Sequence, residues 1–505
     1  MAIPTKIVVI GAGSASFGEN TLSALMRSKK LRTNIAAPID QYSRSFDAGG
    51  DFEETTLATL MRSKKLQGST LALVDRNPDT LDIVRRLAER LNHEWDSGIT
   101  ITAHTSHKDA LDGDTGFVVS AIEVGAREGL WKKDFEIPLK YGVRQPYAEN
   151  GGPGGFAHAA RNIGPVMEIV RDMEQTCPDA WFINFTNPMI RICDTVNRHS
   201  TIKAVGLCHQ IFIGYTMVGV ALAQDLGITV PDGLTGMEAS IMQAPLHDQV
   251  RRQIVPLVDI RAAGLNHFSW ILSIRDRRTG EDLYPLFRRR FFELDPKFEP
   301  LTRRVFEAFG IFPVPGDTHL CEYLPWLTDP VTKPWEKYDI KLYDWELMAN
   351  VREYELDRLD KMADGEATIE GLEETDSEGA LEMIENVAGA GNHYHLAANL
   401  RNVGQVSNLP LECTVETPVM VDGDGIHPVH VGVLPEPVAE LCRRETTVAQ
   451  LCVDAAVEGS HEKALQCLLL DPVISTSKWR SRSWMITSHP IRSTFPNFGD
   501  SHSNE

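Results

Sequence analysis

Short apolar runs punctuate the first two hundred residues. KIVVI (6–10), LALV (71–74) ending on Asp75, GFVVSA (116–121), AWFINF (180–185) and KAVGL (203–207) are each four to six residues long. Runs that are apolar throughout, rather than alternating, predict strands covered on both faces, as in a parallel sheet. Between them, 79–92 is amphipathic at helical spacing and 161–175 also reads as a helix. Strands alternating with helices over about 200 residues predict a doubly wound parallel sheet. Beyond this stretch the pattern is mixed, with helical character over 347–387, which is acidic, and over 439–470. The predicted fold is therefore α/β. A Rossmann-type doubly wound sheet occupies 1–205, and an α+β domain covers 206–474 and rests on the first. Residues 475–505 are rich in Ser, Arg and His without periodicity, and are expected to be poorly ordered.

One repeat interrupts this scheme. TLSALMRSKKL (21–31) recurs as TLATLMRSKKL (56–66), with nine of eleven residues identical. Two copies are too few for a solenoid. A doubly wound domain holds one helix between its first two strands, so one copy is surplus, together with the polar segment around it (19–55). The surplus is expected to protrude as a loop or helical hairpin.

The bulk numbers change the picture in two ways. With 505 residues, 42% apolar, the chain can bury a large core. A formal net charge of −20 argues against a nucleic acid or an anionic membrane as partner. The eight cysteines include no CxxC pair and suggest no disulfide framework. The N-terminus lacks a signal-peptide pattern, and no apolar stretch approaches the roughly 18 residues of a membrane span. A reduced, cytoplasmic protein is expected.

GAGSASFG (11–18) follows a strand and precedes a helix, the context a dinucleotide loop requires. Gly11 permits the tight turn, Gly13 lets the backbone approach a pyrophosphate, and Ser14 lies beside them. Ser16 stands where the fingerprint has its third glycine. Asp75, at the end of the second strand, suits a ribose diol and favours NAD. Cys208 follows the strand KAVGL, at the sheet edge where ligands gather, and His267 lies in LNHFSW (265–270). Each alone reads equally as a buried thiol or a core histidine; as metal ligands the two would not close a structural zinc site and would leave positions open for substrate oxygens. ENGGPGGFAHAARN (149–162) is a glycine-rich loop entering a helix, either a tight turn or a backbone path beside a cofactor. NFTNP (184–188) places Asn187 ahead of a helix, as N-cap or sugar ligand. PGDTHLCEYLPW (315–326) gathers Asp317, His319, Glu322 and Tyr323.

With these motifs in this order, the chain resembles glycoside hydrolase family 4, from residue 6 to about 472 and interrupted over 19–55. QVSNLP (405–410), VDGDGIHPV (421–429) and ALQCLLLDP (464–472) match its C-terminal half. The resemblance implies a lactate/malate-dehydrogenase-like fold and a glycosidase outside the two-carboxylate scheme. NAD would oxidise the sugar 3-hydroxyl, a base would remove the acidified C2 proton, and elimination would expel the aglycone. Water would then add and the hydride return. Carried over by position, the resemblance makes Cys208 and His267 the ligands of a divalent metal, Mn²⁺. Tyr323 is then the C2 base and Asp134 the acid, with Asn187 and His209 contacting the sugar.

His209 after the metal cysteine resembles members acting on non-phosphorylated α-glycosides, and CHQIF is similar to the pattern of α-galacturonidases. An α-linked galacturonic or glucuronic acid is the expected substrate, with a neutral α-galactoside or α-glucoside second. Arg127, Arg144 and Arg161 are candidate partners for the uronate carboxylate. The resemblance also implies a homo-oligomer, a dimer or tetramer. The alternatives are a 2-hydroxy-acid dehydrogenase and a catalytically impaired NAD-binding protein.

Overall fold

The computed structural model describes residues 3–12, 52–125, 129–234, 240–328, 331–370, 372 and 378–474. Gly13, Ser14, Arg127, the first repeat copy and the 475–505 tail lie outside the described residues.

Six parallel strands form the first half of one sheet: β1 (Lys6–Ile10), β2 (Thr70–Val74), β3 (Thr100–His104), β4 (Thr115–Ser120), β5 (Trp181–Asn184) and β6 (Lys203–Gly206). Their spatial order is β3-β2-β1-β4-β5-β6. KIVVI shows why the uniform apolar runs became central strands. Ile7 and Val9 enter the core on one face, while Val8 and Ile10 enter the core on the other. Both faces are covered by helices, so every position must be apolar.

The second repeat copy makes the first crossover. Helix α1 (Phe52–Arg62) carries TLATLMR, and its Leu57, Ala58, Leu60 and Met61 are buried in the same cluster as Ile7 and Val9. Helix α2 (Pro78–Glu94) begins after Asn77, whose side chain accepts the Asp79 N–H, and presents Leu81, Val84, Leu87 and Leu91 to that face. On the opposite face lies α3 (Gly152–Thr176), backed by α4 (Glu436–Glu458). The 439–470 stretch is divided at Gly459, which ends α4 in a left-handed conformation at φ 69°.

At β6 the sheet does not stop. β10 (Asn392–Arg401) pairs antiparallel with β6, followed outward by β11 (Thr414–Asp422), β7 (Val258–Leu265), β8 (Phe268–Asp276) and β9 (Phe312–Pro313). β12 (Gly425–Pro428) pairs with β11, completing twelve strands. Two features position the site. The strand order, not the strand direction, reverses between the parallel neighbours β1 and β4, which opens a crevice at the carboxyl ends of the strands. β7 and β8 form a hairpin in which only Asn266 and His267 lie between the paired Leu265 and Phe268.

Candidate active site

The carboxyl edge of the parallel strands gathers the glycine turn, Asp75, Asn187 and Cys208. Gly11 has φ 86°, and a Cβ there would sit 2.7 Å from the Ala121 carbonyl oxygen at the end of β4. Only glycine passes this point without displacing backbone. Its N–H donates to Val74 O at 2.9 Å, which brings it beside Asp75. Asp75 Oδ1 accepts the Asn77 N–H at 2.7 Å. Asn187 has local partners: its Oδ1 accepts the Met189 N–H at 3.1 Å, and its carbonyl accepts from Asn162 Nδ2 at 3.2 Å. Asn162 Oδ1 accepts the Val124 N–H at 3.0 Å, so this amide ties the ends of β4 and β5 together.

Cys208 and His267 stand together although 59 positions separate them, with Sγ 3.5 Å from Nε2. A shared divalent ion at about 2.3 Å from sulfur and about 2.1 Å from nitrogen would set its ligands roughly this far apart. The tautomer of His267 follows from its neighbours. Asn150 Nδ2 lies 3.0 Å from His267 Nδ1, but its two protons have carboxylate acceptors, Glu149 Oε2 and Glu322 Oε2, each at 2.9 Å. His267 Nδ1 therefore keeps its own proton, directed to Glu149 Oε2 at 3.4 Å, and its lone pair lies on Nε2 facing Cys208. Burial raises the Glu149 pKa most, but the His267 hydrogen bond together with the neighbouring His267, His319 and His158 rings brings it down to about 2. Burial lowers the His267 pKa below its ordinary value, so the ring is neutral at pH 7. Burial also pushes the Cys208 thiol up to about 12, so without a cation the thiol keeps its proton.

His319 stacks on His267 with ring centroids 4.1 Å apart and on Tyr147 at 5.3 Å. Glu149, His267 and His319 form a group able to hold a cation, but Glu149 lies on the Nδ1 side of His267, away from Cys208. Sequence reasoning named His319 and Glu322 only as part of a cluster and passed over Glu149 and Asn150. Their signal lay in the acid and amide that open the ENGGPGG loop.

The remaining candidates fall into two sets. Tyr323 is next to the site: its hydroxyl donates to Asn266 O at 3.3 Å, and its ring stacks on Phe268 at 4.7 Å. Burial raises its pKa well above 10. His209 is one-third exposed, with Nδ1 3.0 Å from Glu378 Oε1. Asp134, by contrast, is fully enclosed and ion-paired with Arg161, and its Oδ1 has no hydrogen-bond partner among the described residues. Burial raises its pKa against the lowering by Arg161. Arg161 is thus engaged, and Arg144 donates to Ile340 O at 2.6 Å while lying over the Trp335 ring. Asp317 accepts the N–H groups of Leu301 and Thr302 at 2.8 and 2.6 Å and serves as a helix cap. The glycine loop packs on protein: a Cβ at Gly151 would strike the Glu322 carbonyl, and the Gly152 N–H donates to Asp471 at 2.7 Å.

Comparison with known proteins adds the following. The Family 4 glycosyl hydrolase model matches residues 45–225, and the Family 4 glycosyl hydrolase C-terminal domain matches 262–474. The chain is 29% identical over 404 residues to an α-galactosidase of Bacillus subtilis (78% of this chain, 84% of the relative). It is 28% identical over 509 residues to an α-glucosidase of Erwinia rhapontici (93% and 94%), and 28% over 382 to an α-galacturonidase of Thermoanaerobacterium saccharolyticum (72% and 76%). Among solved structures, a protein described as a glucosidase from Bacillus subtilis superposes with TM-score 0.75 at 22% identity, covering 98% of this chain and 99% of that one. The 6-phospho-β-glucosidase from Thermotoga maritima, solved with manganese, NAD⁺ and glucose-6-phosphate, gives 0.69 at 20%, covering 98% and 99%.

Proposed function

Because the chain belongs to family 4 of the glycosyl hydrolases, we propose that it cleaves an α-glycosidic bond with NAD and a divalent cation, Mn²⁺, bound at the edge described above. The observation that carries this reading is the Cys208–His267 pair, preset at 3.5 Å with the imidazole lone pair facing the sulfur. Two protein ligands leave room for sugar and water oxygens, and those oxygens suit Mn²⁺ better than the thiol does. For the dinucleotide, the Gly11 passage, which admits no Cβ, and the Asp75 carboxylate at the end of β2 fit the expected turn and ribose contact. When bound, the two groups would supply hydride acceptance and return at a sugar carbon and Lewis-acid polarisation of sugar oxygens.

The side chains divide the remaining work. Cys208 and His267 hold the cation, and Glu149 holds the His267 Nδ1 proton. Tyr323 Oη takes the sugar C2 proton as the phenolate, formed when it releases the proton that in the neutral form it donates to Asn266 O beside the metal-bearing turn. Asp134 is the proposed acid: burial raises its pKa, and it donates from the protonated form it takes once parted from Arg161. Its reach to the leaving oxygen requires Arg161 to release one face of the carboxyl group. His209 and Asn187 contact the sugar, with Glu378 fixing the His209 ring. Residues 1–205 provide the cofactor half and 206–474 the metal and substrate half, in a homo-oligomer acting in the cytoplasm.

For the sugar we propose α-linked galacturonic acid, supported by the CHQIF sequence and by the α-galacturonidase relative. A neutral α-galactoside is the second reading. It is favoured because Arg161 is neutralised by Asp134 and Arg144 is committed to Ile340 and Trp335, so neither offers a carboxylate clamp. Side-by-side kcat/KM for an α-D-galacturonide and the matching α-D-galactoside decides between them. A clear preference for the galactoside would remove the uronate assignment.

A further inference from the structure

We propose that Gln210 is a positioning residue that locks Cys208 and His267 into one ligand geometry, a role that rests on the metal site proposed above. Gln210 opens the helix Gln210–Ala221 two residues after Cys208 and is 1% exposed. Its Oε1 accepts the backbone N–H of His267 itself and lies 3.5 Å from Asn266 Nδ2. His267 is held at φ 59°, a conformation that a side chain with a Cβ occupies only when its surroundings enforce it. The hydrogen bond that His267 N–H donates to Gln210 Oε1 is an enforcing contact: it fixes the Asn266–His267 peptide, whose rotation would swing the imidazole away from Cys208.

A second layer supports the tip but does not replace this link. Glu416 on β11 accepts from Asn266 Nδ2 at 2.7 Å, Ser269 Oγ at 2.7 Å and Asn399 Nδ2 at 3.2 Å. Asn399 Nδ2 also lies 3.4 Å from Gly206 O, so this layer fixes the base of the turn to the end of β6. Beside the contact between the two ligands themselves, Gln210 ties the Cys208 segment to the backbone of residue 267. The Nε2 of Gln210 is buried without a hydrogen-bond partner among the described residues, so its oxygen carries the contact. The residue that sequence pattern associates with substrate choice thus acts on the metal ligands.

The test is titration of reduced, metal-free protein with Mn²⁺, reading free Mn²⁺ by electron paramagnetic resonance, with melting of each metal-free variant as a fold control. Gln210→Met keeps the volume and loses the acceptor. We expect it to bind Mn²⁺ about 10–100-fold more weakly than the native chain. Gln210→Asn keeps a polar amide but falls one methylene short, and the same loss is expected. Gln210→Glu keeps an acceptor oxygen and should hold most of the affinity. Native-like Mn²⁺ binding by both Gln210→Met and Gln210→Asn, with Cys208→Ser weakened, would overturn the role of Gln210 alone. Equal binding by the native chain and Cys208→Ser would overturn the metal site and this proposal with it.

Discussion

Replacing Gly11 by alanine tests the cofactor edge at its tightest point. The new methyl carbon would lie 2.7 Å from the Ala121 carbonyl oxygen, 2.9 Å from its carbon and 3.2 Å from Ile122 N. All three are backbone atoms that no rotamer change can withdraw. The Ala121 N–H also donates to Ile10 O at 3.0 Å, so relief of the clash must part β1 from β4 next to a ladder hydrogen bond. The left-handed φ of 86° adds roughly 1–2 kcal/mol for any L side chain. Together the strain and the clash should cost about 2–4 kcal/mol, in the range of other strained or overpacked backbone positions. Gly113 is the control: a Cβ there meets nothing within 4 Å, and its alanine variant should unfold within about 0.5 kcal/mol of the native chain. Chemical denaturation gives the stabilities, and quenching of intrinsic fluorescence on NAD⁺ addition gives the affinity, which should fall at least tenfold in Gly11→Ala. Unchanged stability and unchanged NAD⁺ affinity would refute the reading of this turn as the cofactor passage.

Three further outcomes follow from the same geometry. Burial keeps the Cys208 thiol protonated while His267 is already neutral, so loading the cation releases one proton. Mn²⁺ affinity should tighten about tenfold, about 1.4 kcal/mol, per pH unit from pH 7 to 9; a slope of zero or two contradicts the assigned protonation states. Tyr323→Phe keeps the ring on Phe268 and loses one hydrogen bond, so urea unfolding should change by only about 1 kcal/mol while turnover falls about 10²–10⁴-fold. Retained turnover would remove Tyr323 as the base. Arg161→Met leaves the Asp134 carboxyl enclosed without its partner and should cost about 3–5 kcal/mol, most of it recovered when Asp134→Asn is added. A loss below about 1 kcal/mol would show that the pair is not buried in solution.

The parallel half of the fold was legible because its central strands are apolar on both faces, as Ile7 with Val9 and Val8 with Ile10 demonstrate. β3 was not: TITAH sits at the sheet edge, alternates Thr with Ile and Ala, and none of its residues is fully buried. The continuation of the sheet through β10, β11 and β7 was also hidden, since pairing across 200 residues is set by tertiary contact and leaves no local period. In 347–387 the acidic helical pattern resolved into Trp345–Ala363 and Ala380–Ala388. The repeat was plain in the sequence, but choosing the copy that packs required the contacts of Leu57, Leu60 and Met61 with the sheet. At the site, motif order singled out Cys208 and His267. Residues that orient them carry no spacing rule: Glu149 and Asn150 reach His267 from one loop and Gln210 from the start of a helix, and only their hydrogen bonds identify them.

The central claim is that this chain breaks a glycosidic bond through bound NAD and a cation held by Cys208 and His267. Cleavage of an α-D-galacturonosyl glycoside by the reduced protein with NAD⁺ and Mn²⁺, before and after EDTA, tests it most directly. Cleavage that requires both additions and is lost with EDTA is the expected result. Cleavage that persists without NAD⁺ or survives EDTA would contradict it.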